Sequence, residues 1–294
     1  MKNVISIDQF TKQDIDNLFA TARTMKTLVE TKGGDDRFRH KVSTNLFYEP
    51  STRTSSSFAA AMYRLGGQVI SINDVNYSSV SKGETLEDTI RTLEQYSDLI
   101  VLRHPQVGAA KRAVQASQVP IINAGDGVGE HPTQALLDLF TIYEEQCKID
   151  GLTITLVGDL KNGRTVHSLA KLLSLYDVTL QAVCPESLAF PPEYGKVINF
   201  TELTDVLPAT DILYVTRVQK ERFDSLEEYE AVQGSYTVTN RLADTMKLSA
   251  RIMHPLPRVG EIHFDVDNNP RAAYFRQMRN GLYVRMALID MLLS

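Results

Sequence analysis

The residues Pro50-Ser51-Thr52-Arg53-Thr54-Ser55-Ser56-Ser57-Phe58 place six hydroxyl groups around one arginine, between an apolar run and an amphipathic one. A hydroxyl at a helix start is an ordinary N-cap, and Ser51 or Thr52 alone would serve as one. A cap uses a single hydroxyl, so six beside a guanidinium point to an anion ligand. Arg53 offers the planar fork that takes phosphate oxygens in pairs. The run lacks the lysine and flanking glycines of a P-loop, which disfavours a nucleoside triphosphate. Further along, Arg103 heads Arg103-His104-Pro105-Gln106, and His131 and Gln134 close a glycine-rich stretch. Arg164 follows Gly158-Asp159-Leu160-Lys161-Asn162-Gly163, and Arg217 follows another apolar run. Lys82 lies in the polar stretch 73–83, where a lone lysine is ordinarily just solvated. These cations suit small, multiply anionic ligands: a phosphate in the first half, carboxylates for the pair Arg164 and Arg217. No nucleophile-base pair stands out, and the histidines lack metal-type companions, so neither a metal nor a cofactor is expected. The chemistry expected is direct transfer between two bound anions.

Such groups converge only if the elements carrying them end at one edge. Residues 44–48 are β-branched and aromatic, and Glu49-Pro50 stops them. Phe58, Ala61, Met62 and Leu65 then fall on one helix face, closed by Gly66-Gly67, before a second apolar run at 68–72. In such a strand-helix-strand unit the helix N-terminus aims unpaired N–H groups at the loop, which suits a phosphate. Strand patterns recur at 99–102, 119–123, 152–157, 178–183, 196–200, 212–215 and 252–253. Helix patterns cover 11–29, 85–96, 109–116, 132–145, 165–175 and 272–293, with a capping-box-like Ser81-Lys82-Gly83-Glu84 before the second. This alternation predicts an α/β protein of two doubly wound parallel-sheet domains joined by helices, with ligands at the carboxyl ends of the strands. The apolar helix at 132–145 reads as the bridge. The first domain is then 1–140, with the helix 276–294 packing back on it, and the second is 141–275.

The chain has 294 residues, 43% of them hydrophobic, and a net charge of −5, so a core forms without staples and nucleic acid is not an expected partner. Cys147 and Cys184 are too few and too far apart for a disulfide framework, which fits a reducing compartment. The first residues show no secretory or transit pattern, and no apolar run is long enough to cross a membrane. The expectation is a cytoplasmic protein with no membrane partner.

The motifs Ser51-Thr52-Arg53-Thr54, Lys82-Gly83-Glu84, Arg103-His104-Pro105-Gln106, His131-Pro132-Thr133-Gln134, Gly158-Asp159-Leu160-Lys161 and Gly163-Arg164-Thr165-Val166-His167-Ser168 come in this order. With Thr216-Arg217-Val218-Gln219-Lys220-Glu221-Arg222 and His254-Pro255-Leu256-Pro257-Arg258, they resemble the catalytic chains of the aspartate carbamoyltransferase family over nearly the whole length. The resemblance is nearest to the domain found in eukaryotic multifunctional pyrimidine-synthesis proteins. It implies the carbamoyltransferase fold, with a carbamoyl phosphate-binding domain followed by an aspartate-binding one. It implies transfer of the carbamoyl group from carbamoyl phosphate to L-aspartate in pyrimidine (UMP) synthesis. It further implies a homotrimer with shared active sites, and fusion to or assembly with other enzymes of that pathway.

By the same resemblance Ser51, Thr52, Arg53 and Thr54 hold the phosphate, and Thr54, Arg103 and His131 polarise the carbamoyl oxygen. Gln134 and the carbonyls of Leu256 and Pro257 take the carbamoyl NH₂. Lys82, Arg164, Arg217 and Gln219 bind aspartate, with Ser78 and Lys82 supplied by the neighbouring subunit. Two departures are Ser55 and Ser81, where some bacterial relatives carry an arginine and a lysine. The alternatives are ornithine or another carbamoyltransferase, or a non-catalytic carbamoyl phosphate or aspartate sensor. Against the first, Arg164 and Arg217 would repel an ornithine ammonium group.

Overall fold

The computed structural model describes residues 1–73, 83–218, 225, 227 and 236–294. They form two compact units: Met1–Leu137 with Arg279–Ser294, and Asp138–Met278. The chain passes from the first to the second within one helix and back within another.

In the first unit, helix α1 (Lys12–Lys32) is capped by Thr11, whose side chain accepts from the Asp14 N–H, and it ends at Gly33 in the left-handed region. It buries Ile15, Leu18, Phe19, Ala22 and Met25, the apolar stripe read from the sequence. Strand β1 (Val42–Phe47) leads into α2 (Thr52–Arg64), and β2 (Gln68–Ile72) follows. Next come α3 (Leu86–Leu93), β3 (Leu99–His104), α4 (Ala109–Ala116), β4 (Ile121–Asp126) and α5 (Pro132–Gln146). The cap of α3 is Thr85, which accepts from the Asp88 N–H, whereas Ser81 of the expected capping box lies outside the described residues. Strand β4 runs on through Asp126, beyond the expected end at 123, because the ladder shifts register after Leu102 and Asp126 pairs with His104 of β3.

The first sheet has the order β2-β1-β3-β4, every pair parallel. Its strands carry apolar runs buried on both faces: Leu99, Ile100, Val101 and Leu102 are at most 1% exposed. Leu46, Ile100 and Leu102 pack with Ile90 of α3 and Ala109 and Ala113 of α4 into one core.

The second unit repeats the pattern. It contains β5 (Thr153–Val157), α6 (Arg164–Leu173), β6 (Thr179–Val183), β7 (Ile198–Phe200), α7 (Leu203–Val206), β8 (Ile212–Val215), α8 (Asn240–Ala243), β9 (Arg251–Met253) and the first turns of α9 (Tyr274–Leu293). Its sheet order is β7-β6-β5-β8-β9, again all parallel. Val157, Val183, Leu213, Val215 and Ile252 from four strands form its core with Val206, Met246 and Tyr274. Both units are therefore doubly wound, each with one place where the winding reverses: between β1 and β3 in the first, between β5 and β8 in the second. No helix among the described residues is long and apolar enough to cross a membrane.

Candidate active site

In an open α/β sheet the two loops leaving the strands beside the reversal diverge to opposite faces and leave a crevice at their carboxyl ends. In the first unit those strands are β1 and β3: Ser51 to Thr54 lie where the loop after β1 enters α2, and Arg103 lies at the end of β3. Ser51 is the residue before α2, yet its hydroxyl makes no capping bond. It accepts instead from Arg103 Nη1 at 3.3 Å, while Arg103 Nε donates to Glu49 at 3.2 Å. The hydroxyl-rich run is thus tied to the arginine of the next strand, and the plain N-cap role is set aside. Burial pushes the Arg103 guanidinium below its ordinary value, and the charge of Glu49 opposes that shift. Thr54 is buried one turn further on, whereas Thr52 and Arg53 face solvent at the helix end. Ser55, the departure from some bacterial relatives, donates to Asn73 Oδ1 at 2.9 Å and so serves as a local tie.

The loop after β4 belongs to the same edge. Asp126 accepts from the N–H groups of Gly108 and Glu130, at 2.9 and 2.8 Å, and the Gly127 N–H donates to the His104 carbonyl. That lacing holds the segment ending in His131 and Gln134, which are 4% and 6% exposed at the start of α5. His104, beside Arg103, is kept neutral by burial and by the nearby Arg112; its Nδ1 accepts from the Gln106 N–H and its ring meets Tyr48. Glu49 and Asp126 went unread in the sequence. An acidic residue beside a run read as anion-binding carried no signal until Arg103 was placed against it.

In the second unit the reversal lies between β5 and β8, whose last residues Val157 and Val215 are in register. Arg164 is the first residue of α6, one position earlier than expected, and Arg217 follows Thr216 just past β8; both are partly exposed. The two loops touch at their bases. Gly158 has φ +109°, and a Cβ there would lie 2.2 Å from the Thr216 carbonyl oxygen, so only glycine permits this approach. Thr216 donates from N and Oγ1 to the Val157 carbonyl, at 2.8 and 2.9 Å. Of the other expected aspartate ligands, Gln219 and Lys82 lie outside the described residues, as does Ser78.

The loop after β9, next to β8, carries Leu256 and Pro257. His254 organises it: Nδ1 accepts from the Leu256 N–H at 2.7 Å, so Nε2 bears the proton and donates to Glu261 at 2.7 Å. Glu261 also accepts from the N–H groups of Val259 and Gly260, both at 3.0 Å. Burial pushes the Glu261 carboxyl up, but these bonds outweigh it and hold the group at about 2. The His254 N–H donates to Gln277, Gln277 donates to the fully buried Asp138, and Asp138 accepts from Tyr214 at 2.6 Å. This relay anchors the loop within its own unit. Leu256 has φ +55°, uncommon for a branched residue, which turns its backbone sharply where the loop is tied.

Residues 2–144 match the family described as aspartate/ornithine carbamoyltransferase, carbamoyl-P binding domain, and residues 150–292 match its Asp/Orn binding domain. The chain is 54% identical to the multifunctional protein pyr1-3 of Dictyostelium discoideum over 98% of its own length, but spans only 13% of that protein. It is 50% identical to the aspartate carbamoyltransferase catalytic subunit of Thermoplasma volcanium, covering 100% of this chain and 98% of that one. Among solved structures it is similar to aspartate transcarbamoylase from Trypanosoma cruzi in complex with N-(phosphonacetyl)-L-aspartic acid. That likeness has a TM-score of 0.94 and 43% identity, covering 100% of this chain and 96% of that one. The chain therefore belongs to the aspartate/ornithine carbamoyltransferase family.

Proposed function

We propose that the chain is an aspartate carbamoyltransferase, transferring the carbamoyl group of carbamoyl phosphate to the amino group of L-aspartate to give N-carbamoyl-L-aspartate and phosphate. The observation that carries this reading is the arginine pair Arg164 and Arg217 at the winding reversal of the second unit. Two guanidiniums there suit a dicarboxylate and oppose the ammonium group of ornithine, which decides between the two activities of the family. The matched catalytic subunits and the complex with a phosphonacetyl-aspartate support the same choice.

In the reaction the free amine of aspartate attacks the carbamoyl carbon, the bond from that carbon to the phosphate oxygen breaks, and the departing phosphate takes the amine proton. Ser51, Thr52, Arg53 and Thr54 hold the phosphate against the N–H groups opening α2. Thr54, Arg103 and His131 stabilise charge developing on the carbamoyl oxygen. Gln134 and the carbonyls of Leu256 and Pro257 take the carbamoyl NH₂. Arg164, Arg217 and Gln219 hold the carboxylates of aspartate. Residues 1–140 with the helix 276–294 act as the carbamoyl phosphate-binding domain, and 141–275 as the aspartate-binding domain. Positioning and charge neutralisation supply the rate.

The same reading makes the protein a cytoplasmic homotrimer in pyrimidine synthesis, with Ser78 and Lys82 reaching the neighbouring subunit's site, free-standing or fused to other enzymes of the pathway as in the multifunctional relatives. Phosphate release from carbamoyl phosphate with aspartate, with ornithine or with neither tests the activity; turnover with ornithine, or none with aspartate, sinks it. Refolding Lys82→Ala together with Arg53→Ala tests the shared site. Mixed trimers regain activity if one chain's Arg53 meets another's Lys82, and stay dead if each chain supplies both.

A further inference from the structure

His167 lies in the first turn of α6, three residues after Arg164, and the mechanism above gives it no part. Its ring is 5% exposed, stacks on Tyr194 with centroids 4.0 Å apart and planes 8° from parallel, and meets Phe190 edge-on. Nε2 lies 2.8 Å from the Leu160 carbonyl oxygen, and because a carbonyl only accepts, Nε2 carries the proton. Nδ1 is buried and has no hydrogen-bond partner among the described residues. Burial also pushes the imidazole below its ordinary value, so the ring is neutral with a fixed tautomer.

A phenylalanine would fill the same space against Tyr194 and Phe190 without burying an unsatisfied nitrogen, which is costly. What the imidazole adds is one N–H bond, and its acceptor lies in the middle of the 158–163 turn. At one end that turn is pressed against Thr216 through Gly158. Inside it Asp159, fully buried, accepts from the backbone N–H and side-chain NH₂ of Asn162. At the other end it delivers Arg164, whose N–H donates to the Asn162 carbonyl at 3.1 Å. We propose that His167 is a positioning residue for the second substrate: its N–H fixes the 158–163 turn, and so the direction in which Arg164 meets a carboxylate. The inference rests on the assignment of Arg164 to aspartate made above.

The test compares His167→Phe, which keeps the stacked ring and removes the N–H, with His167→Gln, whose amide NH₂ can reach the same carbonyl. Both are assayed in the intact protein beside the wild type. The expected result is a rise of about tenfold or more in the KM for aspartate in His167→Phe, with the KM for carbamoyl phosphate within about twofold of wild type. His167→Gln should return the aspartate KM to within about threefold. A folded His167→Phe with unchanged aspartate KM overturns the proposal. So does an equal rise in both KM values, or a His167→Gln no better than His167→Phe. Should His167→Phe not fold, Tyr194→Leu carries the test by removing the stacked ring alone. A selective rise in aspartate KM of about threefold supports the proposal, and no change overturns it. A wild type that fails to carbamoylate aspartate defeats the assignment of Arg164 itself, and the proposal falls with it, so the two failures are told apart by the wild-type control.

Discussion

The two sheet edges present the cationic groups proposed for anion binding by different means. In the first unit the charge is built into regular structure: the N-terminus of α2 faces the loop, and Arg103, with its side chain 16% exposed, leaves a buried strand already tied to Glu49 and Ser51. In the second unit Arg164 opens α6 and Arg217 follows β8, and what aims them is a set of local ties in the turns beside them, Gly158 against Thr216 and His167 to Leu160, while His254 with Glu261 holds the neighbouring loop. The difference matches the ligands proposed for each edge. A phosphate is compact and carries its charge on equivalent oxygens, so one helix end and a fork of N–H groups suffice. A dicarboxylate presents two separated charges, which takes two arginines on separate loops at a set spacing. The first edge should therefore depend mainly on its charges, and the second on its backbone.

The largest effect expected is from Arg53→Ala. Removing a charge-assisted contact to phosphate costs about 2–4 kcal/mol of transition-state stabilisation, a fall in kcat/KM of roughly 30- to 1,000-fold, with the fold intact because the side chain is exposed. Near-normal turnover by a folded Arg53→Ala protein removes the phosphate assignment and with it one side of the contrast.

Gly158→Ala is the backbone counterpart. The added methyl cannot sit 2.2 Å from the Thr216 carbonyl oxygen, so one turn must shift, at about 1–3 kcal/mol of strain. The melting temperature should drop, and the KM for aspartate should rise while that for carbamoyl phosphate stays within about twofold. Equal changes in both constants would erase the distinction between a charge-built edge and a backbone-built one.

The smallest effect concerns the loop held by Glu261. Its carboxyl titrates at about 2 in the folded protein, below the ordinary carboxylate value. A depressed carboxyl stabilises the fold above its unfolded pKa and loses that contribution as the pH falls through the folded one. Stability should therefore decline as the pH falls from about 4.5 to 2. Glu261→Gln should be less stable at pH 7 and show a shallower decline over that window in urea midpoints. An unchanged slope would mean that Glu261 does not set the loop.

Most of the framework was legible in the sequence because its signals are local. The strand at 68–72 and the helix at 109–116 were placed to the residue, and the buried stripe of α1 followed from spacing alone. The helix starts were harder. Arg164 opens α6 rather than preceding it, and Thr85 caps α3, because several hydroxyls or glycines in a row offer equivalent caps and only the backbone chooses one. Of the candidate site residues, Arg103 and Arg217 could be named from their places after apolar runs, Arg53 from its hydroxyl-rich run, Arg164 from the turn into its helix, and His131 from the end of a glycine-rich stretch. Glu49, Asp126, His167 and Glu261 could not, since each is meaningful only through a partner.

What the sequence determined by itself, then, was residue types and their order along two β/α series: which groups bear charge, which runs are buried, and where each strand hands over to a loop. Tertiary structure decided the strand orders β2-β1-β3-β4 and β7-β6-β5-β8-β9, and these put the winding reversals where Ser51 meets Arg103 and where Gly158 meets Thr216. The physical reason is range. Helix and strand patterns arise from neighbours a few residues apart. Meetings such as Arg103 with Ser51, 52 positions away, or Asp138 with Gln277, 139 away, depend on which strands pair and exist only once the sheets have formed.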